Sequence, residues 1–355
     1  MKKRLLAGLL AGCITLTGCA SILERDYISI SPHKSTTTDV GSSSALRVEN
    51  YQELVNSLSY LISAGAEGGV IRLYMETTQA EDDLRNARLE VLQEYPLAAY
   101  AVENITYETE PVLTYTEARV SFTYQRTPNQ ISSIVSVTGI SAVRAALSAA
   151  LTQFASECVL RISIFDQNED YIRDLVQQLY YANPAAALEY PELEVYIYPN
   201  SGRQRIVEIL FHYENNSTLL SERTLLLEQT CQRMADQIAA TGSVNPTAAM
   251  SAVLNAGGYD PEGGSTAYAA LLEGGANSEG LALAMAAVCE QLDLPCKIAR
   301  GLHDGQPHFW NVVTTENGWR HVDLTRQDAA DIFYTDETWQ TLGYTWLETS
   351  LPACT

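Results

Sequence analysis

Apolar residues recur at helical and strand spacings in two successive stretches, residues 46–126 and 127–216. Five of them share one face of the first predicted helix, behind a capping sequence at Asn50: Tyr51, Leu54, Val55, Leu58 and Leu61. Later in each stretch, apolar and polar residues alternate with the period of two that is typical of a half-buried strand. Each stretch therefore predicts a helix, a strand, a helix and two further strands, an α+β arrangement.

Short segments of the two stretches match at separations of 88 or 89 residues. The matches include Val70-Ile71-Arg72-Leu73 with Val159-Leu160-Arg161-Ile162, and Phe122-Thr123-Tyr124 with Phe211-His212-Tyr213. We therefore expect two tandem α+β repeats, at 46–126 and 127–216. Neither contains a catalytic constellation. They have either a shared structural role or a shared ligand.

The remaining chain predicts a linking helix within 217–244 and a last domain at 245–355. In that domain a glycine-rich loop leads to Ser278, which opens an apolar helix, and Leu294-Pro295 ends the helix. Three strands follow, at 296–301, 308–314 and 319–324.

Three residues in this domain suggest chemistry. Ser278 stands at a helix start, where unpaired backbone N–H groups favour an anion or an oxyanion. His308 and Asp323 lie on neighbouring predicted strands. A nucleophile, a base and an orienting carboxylate have this layout. Taken singly, Ser278 is also a good helix cap, His308 a satisfied strand histidine and Asp323 a turn residue.

The order of these motifs resembles the transglutaminase-like superfamily. The family pattern is a Cys-Glu-Gly-Tyr-Ala helix start, a "lGIPC…G" strand, a His-Ala-Trp-Asn strand and a "W-x-x-V-D-x-T" strand. The matching segments here are Glu279-Gly280-Leu281-Ala282, Leu294-Pro295-Cys296 with Gly301, His308-Phe309-Trp310-Asn311, and Trp319-Arg320-His321-Val322-Asp323-Leu324-Thr325. The resemblance covers roughly 245–345. It implies a papain-like fold and peptidase or transamidase chemistry.

The resemblance assigns the triad positions to Ser278, His308 and Asp323, with Ser278 where the family has cysteine. It also implies that Tyr268, Trp310 and Trp319 line the site. A cysteine can be stored as a thiolate beside an imidazolium, whereas a serine hydroxyl cannot. We therefore expect a degenerate triad in a pseudoenzyme that binds a peptide-like ligand, such as a cell-wall peptide or a segment of a partner.

Two alternatives remain: a working peptidase or acyl transferase that uses Ser278, and a purely structural spacer. A metal site formed by His303, His308, His321 and Asp323 is a further interpretation, but the spacings fit no standard zinc pattern. We expect neither a metal nor a cofactor.

Residues 1–18 resemble a secretory signal, with Lys2, Lys3 and Arg4 before a short apolar run. The sequence Leu16-Thr17-Gly18-Cys19 resembles a bacterial lipobox, which implies lipid attachment at Cys19. Residues 19–45 are rich in serine and threonine and predict a tether. The expected location is the cell envelope, on the extracytoplasmic face of the membrane.

The formal charge of −21 becomes −24 without residues 1–18. Such a chain is repelled by nucleic acid and by anionic lipid, so we expect no nucleic-acid partner and attachment to the membrane through the lipid alone. Beyond Cys13 and Cys19, the cysteines are Cys158, Cys231, Cys289, Cys296 and Cys354. Because their number is odd, at least one is free or pairs with another chain.

Replacing Cys19 tests the lipid anchor. Cys19→Ala removes the predicted acylation site, so the variant should move from the detergent phase to the aqueous phase in a phase-partition measurement. Cys13→Ala, within the predicted signal, serves as the matched control and should partition like the wild type. An unchanged partition of Cys19→Ala would remove the lipoprotein prediction.

Overall fold

The computed structural model describes residues 45–326, 332–347 and 351–355. Helices and several sheets occupy this part of the chain, which confirms the predicted α+β class. The predicted signal, Cys19 and all but the last residue of the tether lie outside the described residues. Within the described ranges, no helix combines the length and the apolar character needed to cross a bilayer.

The chain divides into two compact units. The first comprises the described part of 1–89 together with 105–122, and the second comprises 90–104 and 123–355. The division therefore falls inside one helix and two strands rather than at a linker.

The first sheet has the strand order β1-β2-β4-β3. The elements along this part of the chain are β1 (Leu46–Val48), α1 (Tyr51–Ser63), β2 (Gly68–Leu73), α2 (Thr77–Glu94), α3 (Pro96–Ala101), β3 (Val102–Val112) and β4 (Tyr115–Tyr124). Strand β1 pairs parallel with β2, and β2 pairs antiparallel with β4. Asn50 caps α1 through a 3.0 Å hydrogen bond from the Glu53 N–H to its side chain.

The second sheet, in the second unit, has the order β5-β6-β8-β7. Its elements are α4 (Pro128–Ser132), β5 (Val135–Val137), α5 (Ile140–Thr152), β6 (Glu157–Ile162), α6 (Glu169–Tyr181), β7 (Glu192–Tyr198) and β8 (Arg205–His212). Strand β5 pairs parallel with β6, and β8 pairs antiparallel with β6 and β7. One sheet face packs on the apolar faces of α5 and α6.

The third four-stranded sheet, also in the second unit, has the order β13-β12-β11-β14. The elements of this region are α7 (Ser217–Ala240), α8 (Pro246–Ala256), β9 (Gly258–Gly264), a π-helical turn (Ala269–Glu273), β10 (Gly275–Ala276), α9 (Ser278–Gln291), β11 (Cys296–His303), β12 (Gln306–Thr315), β13 (Gly318–Val322), α10 (Asp336–Thr341) and β14 (Tyr344–Trp346). The strand predicted at 296–301 is two residues longer in the structure, where it ends at His303. The turn between β11 and β12 consists of Asp304 and Gly305.

Helix α9 is enclosed by the rest of this region. Every residue from Gly280 to Cys289 is buried. Helices α7 and α8 pack against it on one side, and strands β11 and β12 pack on another. The same hydrophobic core includes Phe154, Tyr180 and Leu188, which come from the region of the second sheet. The core around α9 therefore includes residues from the region of the second sheet, whereas the strands of that sheet pack in a core of their own.

Asn311 joins this helix to its sheet. The side chain is fully buried, and its Nδ2 donates a 2.9 Å hydrogen bond to the Ala282 carbonyl oxygen. A buried amide needs such a partner, since an unsatisfied one costs about 1–3 kcal/mol. The bond fixes the start of α9 against the middle of β12.

Replacing this amide should destabilise the second unit. Asn311→Asp places a carboxylate oxygen against a carbonyl oxygen in a dry core, so the free energy of unfolding should fall by about 3 kcal/mol. Denaturant unfolding measures the change. Asn317→Asp, at the exposed turn between β12 and β13, is the matched control and should change the value by less than about 0.5 kcal/mol. Equal effects of the two changes would contradict a tie between Asn311 and α9.

Candidate active site

His308 and Asp323 form a largely buried hydrogen bond beside the last sheet. His308 lies on β12, and Asp323 follows β13 directly. The His308 Nε2 and Asp323 Oδ2 atoms are 2.7 Å apart, and the side chains are 12% and 1% exposed. The carboxylate orients the imidazole through Nε2, which leaves Nδ1 as the nitrogen available to a second group. This is the arrangement of a base with its orienting carboxylate.

Asp323 accepts two further hydrogen bonds. The Tyr344 hydroxyl donates to Oδ2 at 2.6 Å, and the Thr325 N–H donates to Oδ1 at 2.8 Å. Burial by itself raises the pKa of Asp323, but the hydrogen bonds with His308, Tyr344 and Thr325 outweigh it and lower that pKa below its usual value. The carboxylate is therefore held in its charged form.

An aromatic layer supports this pair from the side of β14. The rings of His303 and Trp339 both stack on the ring of Tyr344, with centroid distances of 4.1 Å and 3.9 Å. Trp310 meets Tyr344 edge-on at 5.3 Å. The sequence did not predict a role for Tyr344 in the site. Tyr344 and Asp323 are 21 positions apart, and no local pattern links them.

His321 belongs to a separate buried chain of hydrogen bonds. Its Nδ1 accepts from the Trp310 Nε1–H at 2.9 Å, and its Nε2 lies 2.8 Å from Asp336 Oδ1. Because an indole N–H can only donate, Nδ1 carries no proton and Nε2 carries it. Burial lowers the pKa of His321 despite the hydrogen bond to Asp336. The side chain is thus a neutral, single tautomer.

His321, Asp336 and Cys354 offer three potential metal-ligand atoms within 4.8 Å of one another. The donor set does not fit a metal, however. A metal on Nε2 would require the proton on Nδ1, where it would face the Trp310 N–H. Burial, followed by the charge of Asp336, also raises the pKa of the Cys354 thiol to about 12, away from the thiolate that binds metals.

Ser278 is the first residue of α9 and is partly exposed. The helix cap is Asn277, whose Oδ1 accepts from the N–H groups of Glu279 at 3.0 Å and Gly280 at 3.1 Å. Two of the N–H groups that the sequence led us to expect unpaired are therefore already bonded. Among the described residues, no hydrogen bond joins the Ser278 hydroxyl to His308.

The other predicted site residues lie at different depths. Trp310 is 1% exposed and belongs to a buried hydrophobic cluster. The half-buried Trp319 packs against that cluster. Tyr268 directly precedes the π-helical turn, with the Arg223 guanidinium 5.3 Å from its ring centroid. Their role in lining a site stays a prediction.

One contact beside Ser278 was not predicted. The Tyr181 hydroxyl, at the end of α6, donates to Glu279 Oε1 at 2.7 Å. The Arg300 guanidinium lies 4.9 Å from the Tyr181 ring centroid, and the Phe309 ring lies 5.6 Å from it. The region of the second sheet therefore reaches the residue next to Ser278. No local pattern encodes such a contact between residues 98 positions apart.

The five cysteines of the described chain are free thiols. Burial, followed by nearby carboxylates, raises the pKa of Cys158 to about 11 and that of Cys231 to about 12. The pKa of Cys296 is raised by its hydrogen bond with Cys289 and by burial. None of these three is suited to act as a nucleophile.

One comparison with known proteins agrees with the resemblance in this region. The family model of the transglutaminase-like superfamily matches residues 232–324, so this part of the chain is a transglutaminase-like domain. A solved structure described as "Crystal structure of a TGase" is 16% identical, with a TM-score of 0.28. The match spans just over half of each protein, 53% of this chain and 57% of the other. A comparison with curated proteins finds no match.

The lowered pKa of Asp323 predicts a pH dependence of stability. An aspartate in an unfolded chain has a pKa of about 3.9, which is higher than the pKa of Asp323 in the folded protein. As the pH falls, the unfolded state therefore binds a proton before the folded state does. The stabilisation is present above about pH 4 and is lost as the pH falls through the folded pKa. The free energy of unfolding of the wild type should therefore fall more steeply below pH 4 than that of Asp323→Asn. Asp236→Asn, on the exposed side of α7, should keep the wild-type slope, and equal slopes for all three proteins would contradict the assignment.

Proposed function

We propose that this is a lipid-anchored cell-envelope protein. Its transglutaminase-like domain, matched at residues 232–324, has lost its nucleophile and binds a peptide-like ligand. The ligand is a cell-wall peptide or an exposed segment of a partner. The observation that carries the proposal is the helix start. It presents a serine hydroxyl in a layout suited to a thiolate, and Asn277 occupies two of its backbone donors.

The chemistry of the two nucleophiles supports loss of activity. A thiol of reference pKa about 8.5 becomes a thiolate at a helix N-terminus beside an imidazolium. A serine hydroxyl has no such stored form, and it depends on an aligned base and on free oxyanion donors during attack. With the N–H groups of Glu279 and Gly280 bonded to Asn277, fewer donors remain for a developing oxyanion.

A second candidate is a working peptidase or acyl transferase in which Ser278 attacks, His308 is the base and Asp323 orients it. The hydrogen-bonded His308–Asp323 pair favours this candidate, because a ligand-binding domain does not require it. Labelling by a serine-directed reagent separates the two functions.

We also propose that residues 46–126 and 127–216 are tandem repeats. The strand orders β1-β2-β4-β3 and β5-β6-β8-β7 support this, because the strands of the two sheets follow one another in the same spatial order. In each sheet the first two strands also pair in parallel. The envelope location and the lipid at Cys19 rest on residues 1–19 of the sequence.

Restoring a cysteine at position 278 tests whether the site keeps the geometry of a triad. If the triad geometry is kept, the thiol of Ser278→Cys should have a depressed pKa, because it would then lie at a helix N-terminus and beside His308. It should react with iodoacetamide near pH 6, where an ordinary thiol is almost wholly protonated. The wild type is the background control, and mass spectrometry identifies the modified residue.

Adding His308→Ala should slow this labelling by about tenfold or more, whereas adding His303→Ala, a neighbouring histidine without a bond to Asp323, should not. A cysteine at 278 that titrates like a free thiol would mean that the triad geometry is lost. A serine-directed phosphonate should leave the wild type unmodified. Labelling of Ser278 would establish the serine enzyme instead.

A further inference from the structure

A groove of about 580 Å³ lies in the second unit, between the end of α6 and strand β11. Tyr181, Ala182 and Pro184 form one wall, and residues 296–298 with Arg300 form the other. We propose that this groove binds an acidic peptide, whose carboxylates pair with Arg144, Lys297 and Arg300. The inference rests on the proposed peptide-binding function and specifies its ligand.

The charge of the groove is opposite to that of the protein. The chain has 43 acidic residues against 22 lysines and arginines, yet three cations line this one groove. Within the described ranges, no carboxylate lies within ion-pair distance of Arg144, Lys297 or Arg300, and Arg144 bonds only to the neutral Gln178. Arg300 already acts on Tyr181 and on Glu279, because its charge lowers the pKa of both groups against the effect of burial. Arg144 and Lys297 are therefore the cations most available to an anionic ligand.

Glu290 is the acidic residue among the described groove-lining side chains. Burial, reinforced by Glu228, raises its pKa, which weakens its competition for the cations. Arginine guanidinium groups bind carboxylates in a bidentate manner, so two arginines and a lysine favour a ligand with several carboxylates.

Apolar side chains alternate with the cations along the groove. Ala286, Leu294 and Ile298 line the same space as Lys297 and Arg300. A surface of this mixed character fits an extended chain that carries both acidic and small apolar side chains. A small inorganic anion would leave the apolar part uncovered.

The groove is linked to the start of α9 through Tyr181. Arg300 at its end contacts Tyr181, and Tyr181 bonds to Glu279, the residue after Ser278. A peptide held by Lys297 and Arg300 would therefore lie beside Tyr181, which bonds to the residue after Ser278. This places ligand recognition beside the predicted triad rather than at a remote surface.

Fluorescence anisotropy with labelled, capped peptides tests the inference on the full chain. The probes are one peptide of alternating glutamate and alanine and the same peptide with glutamine for glutamate. The glutamate peptide should bind, and the glutamine peptide should bind about tenfold more weakly or not at all. Lys297→Glu and Arg144→Glu should each weaken the glutamate peptide about tenfold. Arg203→Glu, the same charge change on an exposed loop away from the groove, should not.

Each other outcome has a separate meaning. If both peptides bind equally, the acidic specificity is wrong while peptide binding stands. If neither binds, peptide binding itself fails. If Arg203→Glu weakens binding as much as Lys297→Glu, the attraction comes from overall charge and the groove assignment is wrong. Competition by phosphatidylglycerol vesicles would assign the groove to lipid headgroups instead.

Discussion

Burial of helix α9 on every side is the constraint on which the last region of the chain depends. A helix that is apolar all round must be enclosed, so α7, α8 and the last sheet have to surround it. Only its first two and last two residues reach the surface. Gly280 permits this enclosure, because a Cβ there would lie 2.7 Å from both the Ala276 Cβ and the Gly264 carbonyl oxygen. Ser278 stands at the accessible N-terminal end of the helix.

The second constraint is electrostatic. Asp323 is almost fully buried, and a buried carboxylate is tolerated only when several donors surround it. The donors come from β12, from β14 and from the backbone of Thr325. Strand β14 is thereby tied to the same carboxylate as His308. Gly301 allows β14 to approach, because a side chain there would collide with the Thr345 carbonyl oxygen.

The sequence predicted those features that depend on local pattern. The α+β class, the capping of α1 by Asn50, the start of α9 and the pairing of His308 with Asp323 follow from spacing and periodicity. The features that escaped prediction involve partners distant in the chain, such as Tyr344 with Asp323 and Tyr181 with Glu279. The cap of α9 is Asn277, one residue before Ser278, because serine and asparagine have a similar preference for such positions.

The buried thiols have a consequence for the lifetime of the protein in an oxidising medium. Burial raises the pKa of Cys158, Cys231 and Cys354, so these thiols are protonated at neutral pH. Attack on a disulfide or a peroxide proceeds through the thiolate, so the raised pKa values slow the oxidation of these thiols. Burial in the fold therefore protects the three cysteines against oxidation.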